Sequence, residues 1–318
     1  MTAKPQSTFA SADGSFNRKP STFRSTISPD PNAEFPAEKD RYVLYIHIGC
    51  PWAHRANIVR SLKGLQDIVQ LVVFDASLIH QGSGWAMSGD KTEPLYGFKT
   101  LKELYEKAQP GFGGRCTVPM LWDKKKETIV NNESSEIIRI FYSAFDAFLP
   151  TPLRESSKGT NSLLPEHLVA DIDALNAWVY TDLNNGVYRA GFATSQSAYD
   201  SAVRGVFAAL DRLEEQLGHG KEFLFGDFIT DADVRLYPTI VRFDVAYHTI
   251  FKCNLRMIRH DYPRLHSWVR RLYWDEGEGT NGGAFGKTVN FQAYKDGYTD
   301  AVKGTVVPIG PEVSILPL

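Results

Sequence analysis

Ile48-Gly49-Cys50-Pro51-Trp52-Ala53-His54-Arg55 stands between an apolar run, Tyr42 to Ile48, and an amphipathic run, Arg55 to Lys63, that closes at Gly64. The pattern predicts a strand feeding a helix, with Cys50 at the junction. Pro51 suits the first helical position, because it lacks an N–H where none is bonded and its fixed φ is already helical. The Cys50 sulfur then faces the N–H groups of the first turn, and these with the helix dipole favour an anion. A thiol so placed is expected to fall from a pKa of about 8.5 into the ~3.5–7.5 range, leaving a useful fraction of thiolate at neutral pH. The bland alternative is a structural cysteine in a core, which has no need of a proline beside it.

At 318 residues the chain can form two modest domains, each with its own core. A net charge of −2 with both signs interspersed argues against nucleic-acid binding, which needs a basic stripe. No apolar run approaches the ~20 residues of a membrane helix, and Met1-Thr2-Ala3-Lys4-Pro5 lacks the apolar core of a signal peptide. A soluble cytoplasmic protein is therefore expected. The basic, Ser-rich N-terminus raises a mitochondrial transit signal as the alternative, but Pro5, Gly14 and Pro20 would break its amphipathic helix. Three cysteines, Cys50, Cys116 and Cys253, fit neither a disulfide framework nor a zinc spacing.

Residues 1–37 read as an irregular arm in which Ser15-Phe16-Asn17-Arg18 and Ser21-Thr22-Phe23-Arg24 place aromatics beside arginines, either docked on the body or disordered. Residues 38–148 carry strand, helix, strand (Ile68 to Phe74), and then a long Gly-rich loop from Asp75 to Gly97. A short helix from Thr100 to Lys107 and a hairpin follow, and the hairpin's first strand opens at Val118-Pro119. A proline there is tolerated only at an edge or a bend, and a cis bond would leave the backbone of Val118 free to pair with an extended ligand. Asn132-Glu133-Ser134 opens a helix expected to run through Phe148, whose N-terminus is a ready anion site. This order is thioredoxin-like. Residues 149–166 read as a linker, residues 167–300 as an all-helical domain, and residues 301–318 as an irregular tail. The stretch after Asn281 reads as Gly-rich and then irregular. Within the helical part, Thr230 with Asp233 resembles a capping box, and Ile229 with Val234 a hydrophobic staple. The fold class is thus α/β plus all-α.

Ala53 occupies the position where a redox dithiol would carry its second cysteine, so an outside thiol such as glutathione must complete any redox cycle. Together with the two-domain order and the Val-Pro turn, this reads as the glutathione transferase superfamily. Gly49 to Arg55 resembles the active-site motif of the glutathionyl-hydroquinone reductases, the xi-class glutathione transferases. The resemblance continues through Glu38 to Tyr42, Gly84-Trp85, Gly114 to Pro119, Asn132 to Ser134, Asn184 to Tyr188, Ala190 to Ala193, Arg242 to Asn254 and Thr288 to Tyr298. It departs in the Gly-rich segment Glu276 to Lys287, and at Leu163-Leu164-Pro165 where the family tends to carry Tyr-Pro.

Carried over position by position, the resemblance implies Cys50 as nucleophile and a glutathione site of Trp85, Arg115, Val118, Glu133 and Ser134. Arg115 would pair with a glutathione carboxylate, Val118 would offer its backbone to the cysteinyl part, and Glu133 with Ser134 would take the γ-glutamyl end. Tyr188, Tyr247 and Tyr298 match the tyrosines of the acceptor pocket, where phenols bond the hydroquinone oxygens and help move protons. Taken singly, each tyrosine and Trp85 reads as a packed aromatic. The implied reaction reduces a glutathionyl-hydroquinone through a Cys50–glutathione mixed disulfide, with glutathione as co-substrate and neither metal nor flavin. Two other readings stay open: a general deglutathionylase or dehydroascorbate reductase, and a protein that binds glutathione conjugates without turnover. The resemblance also implies a homodimer. His47, His54 and Trp52 read as structural or rim residues.

Overall fold

Six consecutive buried residues, Tyr42–His47, form strand β1 of the computed structural model, which describes residues 20–78, 84–218 and 220–318. Burial on both faces is what makes the run continuously apolar rather than alternating. β1 lies parallel to β2 (Val69–Phe74) and antiparallel to β5 (Met120–Asp123), which in turn pairs with β6 (Thr128–Asn131), giving the order β2-β1-β5-β6. The expected long loop holds a small antiparallel ribbon of its own, β3 (Ala76–Leu78) with β4 (Gly84–Ala86). Three-residue strands leave too short a period to be read from sequence. Pro119 precedes a central strand, at a bend with a cis Val118–Pro119 bond.

Three helices complete this unit: α1 (Pro51–Leu62), α2 (Leu101–Ala108) and α3 (Ser134–Ser143). Gly64 ends α1 because it alone takes φ +65° without strain, so that Leu65 N–H can bond Arg60 O (2.8 Å) and Gly64 N–H can bond Ser61 O (3.0 Å). Thr100 caps α2 in a capping box with Glu103. α3 stops at Ser143, five residues before the expected Phe148, and the chain continues as single 3-10 turns between 146 and 161. The first of these tie back to α1. The buried ammonium of Lys63 lies 3.2 Å from Glu155 and 3.5 Å from Asp146.

Of the two arm motifs, Ser15 to Arg18 lies outside the described residues, and Ser21 to Arg24 docks. Ser25 N–H donates to Val130 O and Asn132 N–H to Phe23 O, both at 3.0 Å, so the arm covers the outer edge of β6. Phe23 packs edge-on against Tyr105, and Ile27 and Phe35 are buried. Arg41 explains much of the Glu38 to Tyr42 motif: its guanidinium holds the buried carboxylate of Asp123 and also bonds Glu38 at 2.7 Å.

Pro20–Leu163 clusters with Glu276–Thr288 as one compact unit, and Leu164–Asp275 with Val289–Leu318 as the other. The Gly-rich segment thus groups with the thioredoxin-like unit, where Asn281 Nδ2 donates to Ser61 O (2.8 Å) and Thr288 Oγ1 meets His54 Nε2 (2.9 Å). The second unit holds α4 (Val169–Trp178), α5 (Gly186–Gly191), α6 (Gln196–Gln216), α7 (Asp231–Arg242), α8 (Ile258–Asp261), α9 (Pro263–Trp274) and α10 (Phe291–Ala301). The Thr230–Asp233 capping box is present, and the fully buried Asp233 also accepts from Leu224 N–H and Trp268 Nε1–H. α10 falls within the expected helical domain, in the stretch after Asn281 that carries no local helical signal. Its helix carries a mid-helix Gly297, and burial of Tyr294 and Tyr298 one turn apart supplies what propensity does not. Among the described residues no helix is long and apolar enough to cross a membrane.

Candidate active site

Cys50 is the N-cap of α1 with extended backbone (φ −78°, ψ 119°), and Pro51 is the first helical residue. Its thiol is half-buried and donates to Val118 O at 3.6 Å. The turn carrying it is pinned on both sides, by Cys50 N–H to His47 O and His54 N–H to Cys50 O, each at 3.0 Å. The other two cysteines are unlike it. Burial pushes the Cys116 thiol up to about 11 and the Cys253 thiol up to about 12, so neither is a nucleophile at neutral pH.

His47 has a part that sequence reading missed. Its Nδ1 accepts the Gly49 N–H at 3.1 Å, and its ring stacks on Trp85 with centroids 4.0 Å apart and planes 21° from parallel. Burial pushes its pKa down to about 4, against a smaller pull upward from Asp75, so the ring is neutral and Nδ1 stays an acceptor. One side chain therefore links the Gly49–Cys50 turn to Trp85, a residue expected in the glutathione site. The single signal in the sequence was its position two residues before Gly49.

The Val118 loop is fastened from behind. Tyr105 on α2 donates to Thr117 O (2.8 Å) and accepts from Thr117 N–H (3.2 Å) and Asn132 Nδ2 (3.0 Å), tying the loop to the start of α3. Glu133 caps α3, accepting from Ser135 N–H (3.1 Å), Ser135 Oγ (3.0 Å) and Ser134 Oγ (3.4 Å). Ser21 of the docked arm donates to its other oxygen at 3.0 Å. Ser134 is buried and Arg115 exposed. Buried Glu93, also missed, gathers the N–H groups of Leu95, Tyr96 and Phe98 and the Tyr45 hydroxyl, which shapes the loop after β4. This arrangement can hold an anion at the α1 N-terminus beside an extended backbone carbonyl, with a carboxylate and hydroxyls at the α3 N-terminus.

In the helical unit the three expected tyrosines meet. Tyr298 O–H lies 2.9 Å from Tyr188 O–H and 2.8 Å from Tyr247 O–H, at the middle of a three-phenol chain. Tyr247 and Tyr298 are buried and Tyr188 is half-exposed. Phe251 packs at 5.0 to 5.5 Å from all three rings. A Cβ on Gly191 would stand 2.3 Å from Cγ of Phe251, which is why a glycine is needed in the Ala190 to Ala193 segment. Among the described residues no group of three or more His, Cys, Asp or Glu is placed to hold a metal ion.

The family model described as glutathione S-transferase, N-terminal domain, matches residues 49–144, and the glutathione S-transferase, C-terminal domain, matches residues 196–271. Among curated relatives, glutathione S-transferase omega-like 2 of Schizosaccharomyces pombe is 45% identical over 309 residues, covering 95% of each chain. The glutathionyl-hydroquinone reductase YqjG of Escherichia coli is 42% identical, covering 94% of this chain and 88% of its own. Its glutathione-bound structure superposes with a TM-score of 0.79 at 41% identity, over 91% of this chain and 92% of that one. The glutathione S-transferase Xi of Phanerochaete chrysosporium superposes with a TM-score of 0.85 at 47% identity, over 95% of this chain and all of that one.

Proposed function

Because this chain belongs to the glutathione S-transferase family, with xi-class members among its similar structures, we propose that it reduces glutathionyl-hydroquinones with glutathione as co-substrate. The observation that carries the reading is the thiol of Cys50, the N-cap residue of α1 ahead of Pro51, with its sulfur 3.6 Å from Val118 O. A cysteinyl backbone paired with Val118 would bring its own sulfur alongside Cys50. Arg115, Glu133, Ser134 and Trp85 would take the ends of the glutathione. Tyr188, Tyr247 and Tyr298 would meet the aromatic part.

In the first half-reaction the Cys50 thiolate attacks the sulfur of the conjugate, giving a Cys50–glutathione mixed disulfide and a hydroquinone whose ring carbon has gained a proton. In the second, another glutathione attacks the mixed disulfide and leaves as the oxidised dimer, which restores the thiolate. Two displacements at one thiol give ping-pong kinetics. A thiolate in this place also competes for the glutathione sulfur that a conjugating transferase must activate. The protein would act in a reducing compartment, as a homodimer of the kind the family resemblance implies.

Intact mass after brief exposure to a glutathionyl-hydroquinone tests this. Wild type should gain one glutathionyl group as free hydroquinone appears, and Cys50→Ser should gain none. An unmodified wild type with intact conjugate would turn the reading toward a binding protein. Faster turnover of a peptide mixed disulfide than of the hydroquinone conjugate would turn it toward deglutathionylation.

A further inference from the structure

Arg242 ends α7 fully buried, in the midst of phenols. Its guanidinium lies over the ring of Tyr294 at 3.6 Å, and Nη1 donates to Pro238 O at 2.8 Å. Tyr294 shares a face of α10 with Tyr298, the middle member of the hydrogen-bonded chain, and Tyr247 closes the turn that follows Arg242 directly. The nearby carboxylates face other groups. Asp244 accepts from Ile258 N–H, Arg259 N–H and Arg259 Nε; Asp233 serves the α7 cap; and Asp231 pairs with Arg235 and Asn176.

A guanidinium withdrawn from water carries a desolvation cost of several kcal/mol that neutral phenols offset only in part. Burial weighs against its charge, and Tyr294, Tyr298, Tyr247 and Tyr188 hold it up. Reciprocally, burial pushes the phenols of Tyr247 and Tyr298 well above 10, while Arg242 pulls both down. A negative charge on Tyr298 would meet two hydroxyl donors, Tyr188 and Tyr247, with the buried cation lying over Tyr294 one turn away on α10.

We propose that Arg242 is a positioning residue whose charge lets the Tyr188–Tyr298–Tyr247 chain become a phenolate once it has protonated the departing hydroquinone. The proposal rests on the reductase reading and adds to it where the charge goes. As the bond between the Cys50 and glutathione sulfurs forms, the carbon–sulfur bond breaks and its electron pair stays with the ring carbon, which takes a proton from the tyrosine chain. The two sulfurs are oxidised to the disulfide and the ring carbon is reduced. The negative charge that began on Cys50 ends on a phenolate, with Tyr298 able to accept from both neighbours at once. The thiol proton of the second glutathione restores the phenol while its sulfur releases Cys50.

Only the first half-reaction needs that proton, so measuring the two separately by rapid quench tests the proposal. In Arg242→Gln, hydroquinone release from the conjugate should slow about 100-fold, the scale of losing one preorganised charge-stabilising group. Reduction of a preformed Cys50–glutathione mixed disulfide should stay within about twofold of wild type. Arg242→Lys, which keeps the charge, should recover most of the first step. Equal losses in both half-reactions, as a structural role predicts, or no loss in either, would overturn the proposal. If Arg242→Gln does not fold, Arg242→Met takes its place and is judged by the same two rates: selective slowing of hydroquinone release supports the assignment, and equal losses or none overturn it. A wild type that releases no hydroquinone would instead remove the reductase reading, and this role with it.

Discussion

Cys50 and His47 divide the work of one turn. The cysteine holds the N-cap position of α1, and the histidine, neutral through burial, supplies the acceptor for the Gly49 N–H that shapes the approach to it. Replacing Cys50 by Ser should abolish hydroquinone release, by on the order of a thousandfold or more, while calorimetry still detects glutathione binding. Retained turnover would end the thiolate mechanism. The histidine has a pH signature with a definite sign. Its folded pKa of about 4 lies below the ordinary value, so between the two the unfolded chain binds a proton that the folded one does not. Its contribution is complete above about pH 6.5 and is lost as pH falls toward 4, up to on the order of 3 kcal/mol. Urea unfolding of wild type and His47→Asn from about pH 7 to about pH 5 checks this, the variant losing less stability across that window. Identical slopes would mean that another group carries the titration.

The elements differ in what fixes them. α1, α2 and α7 follow local signals, namely Pro51, the Thr100–Glu103 box and the Thr230–Asp233 box, and each begins where those residues place it. α10 and the β3–β4 ribbon follow tertiary burial, and local pattern did not announce them. Gly191 marks where two elements approach too closely for a side chain. Gly191→Ala should displace Phe251, destabilise the protein by about 1–3 kcal/mol, and disturb the tyrosines packed on that ring. Thermal unfolding read beside the rate of hydroquinone release will show it. A variant as stable and as active as wild type would mean that Phe251 swings aside at no cost.

For the molecule as a whole, the thioredoxin-like unit is tied together by long-range pairs that span the arm, the first strand and the hairpin. Arg41→Met should cost about 3–5 kcal/mol by stranding the buried Asp123 carboxylate, and adding Asp123→Asn should recover part of that loss, since an amide keeps the acceptor for Lys125 N–H. Urea unfolding of the single and double variants decides; a double variant less stable than the single would refute the account. A chain starting at Glu38 should lose at least about 3 kcal/mol with the burial of Ile27 and Phe35, and should self-associate through the uncovered β6 edge. Light scattering and thermal melting test that, and an equally stable, monodisperse truncation would show the arm to be dispensable. The sequence by itself determined the strand–helix junction at Cys50, the order of the two domains and the helix caps, because a strand's burial, a proline at the first helical position and a capping box are relations between neighbours in the chain. Only the tertiary structure decided that His47 stacks on Trp85, that Ser21 reaches Glu133, and that Tyr188 and Tyr298, 110 residues apart, share a hydrogen bond near a buried arginine. Those are meetings between distant segments, and their geometry exists only once the core has closed.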